Sequence, residues 1–123
     1  MPKHKILIVE DDPDTRQLLN VRLRASGYET ALAEDAYMAV SMALKESPDL
    51  ILLDLGLPAG GGLTVLERLQ AQTSTATIPV IVASAKERSS NELRARKAGA
   101  VTFLQKPVDT IDLLAAIQQA LGE

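Results

Sequence analysis

Five short apolar runs, each followed by a segment of helical period, limit this chain to one kind of architecture. The runs are "KILIV" (5–9), "YETALA" (28–33), "DLILLD" (49–54), "IPVIVASA" (78–85) and "AVTFLQ" (100–105). A strand that is apolar on both faces must be covered on both faces. Strands alternating with helices meet that need as a parallel sheet between two helical layers. No linker or shift in composition divides residues 1–123, so they read as a single doubly wound (βα)5 α/β domain.

The helical segments carry their own punctuation. After the first strand, Asp12 stands as an N-cap and Pro13 at the first helical position. Leu19 and Leu23 share a face, and Gly27 sits where the helix should stop. The second helix, "EDAYMAVSMALKES", is expected to turn Val40, Ala43 and Leu44 inward. The third, "LTVLERLQAQ", follows an "AGGG" run read as flexible loop and places Leu63, Leu66 and Leu69 at helical spacing. The fourth opens with Ser89 and Glu92 as a capping box and closes at Gly99. The last begins at Asp109 and ends at Gly122.

Composition narrows the function. The net charge of −3 gives no basic footprint for nucleic acid, and three aromatics (Tyr28, Tyr37, Phe103) make no base-stacking platform. No apolar run is long enough to span a membrane, and the N-terminus has no signal-peptide pattern. The absence of cysteine rules out disulfides and thiolate metal sites and fits a cytoplasmic protein. His4 reads as a solvated terminal residue, and Arg88, Arg94, Arg96 and Lys97 as a solvated helix face.

What remains unusual is the polar residues at the strand ends. Asp54 closes a strongly hydrophobic strand, although burying a carboxylate costs several kcal/mol unless something compensates it, on the order of 3–5 when its partner is lost. Glu10, Asp11 and Asp12 follow the first strand, Ser84 ends the fourth and Lys106 follows the fifth. In a doubly wound sheet all of these meet at one edge. Clustered carboxylates repel, and a hard divalent cation such as Mg2+ relieves them with oxygen ligands. A neighbouring lysine and hydroxyl suit a phosphoryl group, with Asp54 as the nucleophile.

With "VEDD", "LLDLGLP", "VASA" and "FLQKP" in order, one per strand end, the chain resembles the receiver (response-regulator, CheY-like) domain of two-component signalling. The resemblance extends from "KILIVEDD" to "DLLAAIQQALG" and implies a flavodoxin-like strand order of 2-1-3-4-5. It further implies Asp54 as phosphoacceptor and Mg2+, or Mn2+ in its place, held by Asp11, Asp54 and the backbone carbonyl of Gly56, with Glu10 assisting and Asp12 as a further candidate. Ser84 takes the switch-hydroxyl position and Phe103 the switch-aromatic position, where it is expected to turn inward on activation. Lys106 contacts the phosphoryl group, ahead of Pro107 in a cis peptide. The implied donor is a histidine kinase or phosphotransfer protein. The implied output is a downstream protein, or a second copy, docking on helix 90–98, strand 101–105 and helix 109–121. Direct contact with nucleic acid or membrane is not expected. "LPAGGGL" departs from the commoner loop, which carries a methionine and an acid.

Three rivals share the scaffold, of which a flavodoxin-like electron carrier would want a hydroxyl-rich phosphate loop after the first strand, where "EDDPD" would repel a phosphate. A metal-dependent aspartyl phosphohydrolase would want a second acid two residues after its nucleophile, where Gly56 stands. A receiver-like module that works without phosphorylation would not need the acid–Asp–Ser–Lys set. The chain is therefore not expected to be an enzyme beyond its own phosphorylation and dephosphorylation.

Overall fold

A computed structural model describes residues 3–58, 61–85 and 88–123, with backbone alone over 88–91. The strands are β1 (Lys5–Val9), β2 (Glu29–Ala33), β3 (Leu50–Asp54), β4 (Val80–Ser84) and β5 (Thr102–Gln105). All pairings are parallel, in the order β2-β1-β3-β4-β5. The helices are α1 (Pro13–Ala25), α2 (Ala36–Glu46), α3 (Gly61–Ala71), a short α4 (Thr73–Ala76), α5 (Arg88–Lys97) and α6 (Thr110–Leu121).

The period of two along each inner strand divides the core. Leu7, Val9, Ile51, Leu53, Val80 and Val82 face α2, α3 and α5. Ile6, Ile8, Leu50, Leu52 and Ile81 face α1 and α6 through Leu23, Leu113 and Ile117. Strands β1, β3 and β4 read as unbroken apolar runs because each is sandwiched.

Most helix signals act as expected. Asp12 accepts from the Thr15 backbone N–H at 2.9 Å and from its hydroxyl at 2.6 Å, which holds the Asp12 carboxyl below its ordinary range. Asp35 and Asp109 cap α2 and α6 in the same manner. Gly99 adopts φ +110 just beyond α5, and a Cβ there would lie 2.6 Å from the Gln70 side chain.

Other expectations need correction. The buried face of α2 is Ala39 and Ala43, while Leu44 is exposed, because the helix packs close to the sheet through small residues. His4 is not simply solvated: its Nδ1 lies 3.0 Å from Glu123, whose other oxygen accepts from the Tyr28 hydroxyl at 2.9 Å. Burial, reinforced by Glu123, pushes the Tyr28 phenol up to about 12. Helix α5 begins at Arg88; the Ser89 half of the expected capping box lies outside the described side chains, while Glu92 accepts from Arg96 at 3.1 Å. The short α4 was not anticipated. It forms where the Thr75 hydroxyl, 1% exposed, turns back to the Leu69 carbonyl at 2.6 Å.

The glycine run is the most consequential difference. Ala59 and Gly60 lie outside the described residues, but Gly61 and Gly62 are buried and helical, not loop. They start α3 two residues before the expected Leu63. A Cβ on Gly62 would stand 2.5 Å from the Leu55 Cα and 2.9 Å from the Asp54 carbonyl oxygen. The first turn of α3 therefore rests directly on the backbone that follows Asp54. We predict that Gly62→Ala lowers unfolding free energy by about 2 kcal/mol, because the clash is with backbone that cannot rotate away. A urea denaturation midpoint equal to wild type would show that the contact is not tight.

Candidate phosphoryl-transfer site

The parallel sheet delivers the strand-end residues to one edge. Asp54 is the last residue of β3 and 7% exposed; Glu10 directly follows β1 and is 2% exposed. Asp11 is exposed beside them, and carboxylate oxygens of Glu10, Asp11 and Asp54 lie within 4.8 Å of one another. Lys106 lies among these acids. Its Nζ is 2.7 Å from Glu10 Oε1 and 3.4 Å from Asp54 Oδ1. Ser84, fully buried at the end of β4, accepts the Lys106 backbone N–H at 2.8 Å through its own carbonyl. The Lys106–Pro107 peptide is cis.

Smaller contacts fix the details. The Gly56 N–H donates to Asp54 Oδ1 at 2.8 Å, and a Cβ on Gly56 would stand 3.2 Å from that oxygen. Glu10 Oε2 accepts the Asp12 N–H at 3.2 Å, so both Glu10 oxygens are engaged. Asp12 is outside the acid triad because its carboxylate is occupied by the cap of α1. Phe103 is 2% exposed and packs in the core with Val82, Ala95 and Ala100. The inward turn expected of it thus has its end point already occupied in this structure. One neighbour escaped the sequence reading: Arg16, whose Nη1 donates to the Glu10 carbonyl at 2.9 Å. Its signal was a cation in the first turn of a helix, where the dipole disfavours one. A cavity of about 510 Å3 opens beside Asp54 and Lys106, walled largely by Leu18, Leu19, Val108 and Leu113 of α1 and the α6 side.

The donor set is all oxygen and predominantly anionic, which fits a hard divalent cation such as Mg2+ and not a soft metal.

These features are those of a known family. The model of the response regulator receiver domain matches residues 6–118. The chain belongs to that family. It is 36% identical over 117 residues to the DNA-binding dual master transcriptional regulator RpaA of Synechocystis sp., covering 95% of this chain and 48% of RpaA. It is 32% identical over 118 residues to protein PilH of Pseudomonas aeruginosa, covering 96% of this chain and 98% of PilH. The chain thus spans about half of one relative and nearly all of the other. Among solved structures, the receiver domain of a Pseudomonas aeruginosa sensor histidine kinase superposes with TM-score 0.90 at 29% identity, covering 99% of this chain and 100% of that one. That crystal structure holds a magnesium ion coordinated in its active-site cleft.

Burial and charge together set the titration of Glu10 and Lys106 in this receiver. Burial raises the Glu10 carboxyl above its ordinary range; the Asp54 charge adds to this, and the bonds from Lys106 and the Asp12 N–H only partly offset it. Burial alone would lower Lys106, but the bond to Glu10 and the charges of Asp54 and Glu10 outweigh it and hold the ammonium above its ordinary range. Lys106 therefore keeps its charge and its contribution at neutral pH, losing it only as pH climbs through that raised value. Glu10 follows the same sign at lower pH: the folded state keeps this proton to higher pH than the unfolded chain does. Stability falls as pH rises from the ordinary carboxyl range through the raised value. Removing Lys106 takes away a bond that restrains Glu10. We predict that Lys106→Ala, without metal, is destabilised by about 2 kcal/mol at pH 8 and by clearly less at pH 5. Urea denaturation at both pH values checks this, and an equal loss at both would exclude the counter-ion role.

Proposed function

We propose that this receiver accepts a phosphoryl group on Asp54 from the phosphohistidine of a histidine kinase or phosphotransfer protein. The observation that carries the reading is the buried Asp54 carboxylate, with Glu10 and Asp11 within 4.8 Å and Lys106 at 3.4 Å. An Asp54 oxygen attacks phosphorus, the O–P bond forms, the N–P bond breaks, and the imidazole leaves with its electron pair.

Asp11, Asp54 and the Gly56 carbonyl are the proposed Mg2+ ligands, with Mn2+ able to take the same place. Glu10 acts through water, since both its oxygens have partners. An Mg2+ ion held there would supply the positive charge that offsets these acids and the charge developing on the transferring oxygens. Lys106 exchanges its carboxylate partners for phosphoryl oxygens, and the Ser84 hydroxyl approaches from the adjacent strand end. The chain acts as an enzyme only on itself. Gly56 stands where a phosphohydrolase would carry its general acid, so the hydrolase reading has no agent for the leaving group. No described helix is long and apolar enough to cross a membrane, and a cytoplasmic location follows from the proposed donor.

The output face is α5, β5 and α6. Phosphorylation replaces the single negative charge of Asp54 with about two. Ser84 and Lys106 are joined by a backbone hydrogen bond, so a shift toward the new oxygens moves both strand ends together. Phe103 starts inward, so the change is carried by these strand ends and by α5 and not by an aromatic entering from solvent. The α5 turn with Arg94, Arg96 and Lys97, beside exposed Leu93 and Val101, suits a downstream protein of acidic or mixed charge or a second copy.

With Mg2+ and a small phosphodonor, intact mass should rise by one phosphoryl group in wild type and not in Asp54→Asn or in excess EDTA. A gain that survives either condition would move the acceptor elsewhere. With a beryllofluoride mimic, amide NMR shifts should change from Arg94 to Phe103. Changes confined to α2 would refute the proposed output face.

A further inference from the structure

Arg16 lies in the first turn of α1, an unfavourable place for a cation. Its side chain is only 19% exposed. The nearest carboxylate, Glu34, lies 3.9 Å away and is 61% exposed, a pairing worth little. The guanidinium is instead occupied by the backbone of the acidic loop: Nη1 donates to the Glu10 carbonyl at 2.9 Å and approaches the Asp11 carbonyl at 3.4 Å. Asp11 needs this most. Glu10 is fixed through both of its oxygens, whereas no described residue hydrogen-bonds the Asp11 carboxylate. Where that carboxylate points is therefore decided by how its backbone is held. Repulsion from Glu10 and Asp54 would otherwise drive it outward.

We propose that Arg16 is a positioning residue for the cation site, holding the Glu10 and Asp11 peptide groups so that the Asp11 carboxylate stays within reach of an ion shared with Asp54. The inference rests on the Mg2+ reading above. Charge alone gives the opposite expectation, because removing a cation near the site should tighten Mg2+ binding. The sign of the effect therefore separates positioning from simple electrostatics.

The test is Mg2+ titration of the 123-residue chain, followed by the amide shifts of Asp11 and Gly56, with denaturation midpoints measured without metal. Arg16→Ala should weaken Mg2+ binding by about tenfold, the scale on which residues supporting metal ligands act. Arg16→Lys keeps the charge and one donor and should recover part of the affinity; a residue acting only through fold stability would not produce this ordering at equal midpoints. Mg2+ binding by Arg16→Ala that matches or exceeds wild type overturns the proposal while leaving the phosphoacceptor reading intact. If Arg16→Ala does not fold, Arg16→Lys decides: affinity equal to wild type overturns the proposal, and a several-fold loss supports it. A wild-type chain that takes no Mg2+ overturns both readings.

Discussion

The ammonium of Lys106 between the carboxylates of Glu10 and Asp54 is the interaction on which the functional edge of this domain depends. Three carboxylates within 4.8 Å, two of them nearly buried, repel one another, and a cation placed among them offsets that repulsion. The fold supplies one from a distant strand, 96 residues along the chain from Glu10. At 2.7 Å the Glu10 contact is a strong charge-assisted bond, and Asp54 at 3.4 Å is the looser partner. The protein thus neutralises the acid it holds permanently and leaves the proposed acceptor less tightly engaged.

Everything else at the edge serves to present these groups. Parallel pairing brings the ends of β1, β3, β4 and β5 to one side, and the backbone bond from Lys106 to Ser84 joins two of those ends. The loop after Asp54 is held from beneath by glycine: with no Cβ, Gly62 lets α3 lie on the Leu55 backbone, and Gly56 leaves space directly beside Asp54 Oδ1. The family's commoner loop puts a methionine and an acid in this region. Here Gly62 makes close backbone contact with Leu55 instead.

The strands, the capped helices and the strand-end residues were legible because each rests on local rules, namely apolar period, cap chemistry and the polar interruption of a buried strand, while the sheet order came from the family resemblance. What the sequence hid are contacts between segments. Leu44 has the hydrophobicity of a core residue, but Ala39 and Ala43 bring α2 close enough to leave Leu44 outside. "AGGG" has loop composition, and only the approach of Leu55 reveals why a helix begins there. Arg16 showed only its unfavourable place in the first turn of α1, since its partners are carbonyl oxygens, which carry no side-chain signature. The inward position of Phe103 is likewise a matter of packing against Ala95 and Ala100.

These contacts divide the edge into a fixed part and an exchangeable part. Backbone-held elements, the Arg16-braced acidic loop and the glycine-seated start of α3, have no reason to move when charge arrives. The ammonium of Lys106 does, because a phosphoryl group at Asp54 offers about two negative charges in place of one. Its movement would, under the proposed function, pass through a backbone bond to the end of β4 and so toward α5, whose residues pack on β4 and β5. Under the proposed function, a receiver of this design responds by exchanging the partners of one cation on a rigid frame. The response is therefore directed to the β4–β5 side of the sheet, opposite the β2 edge.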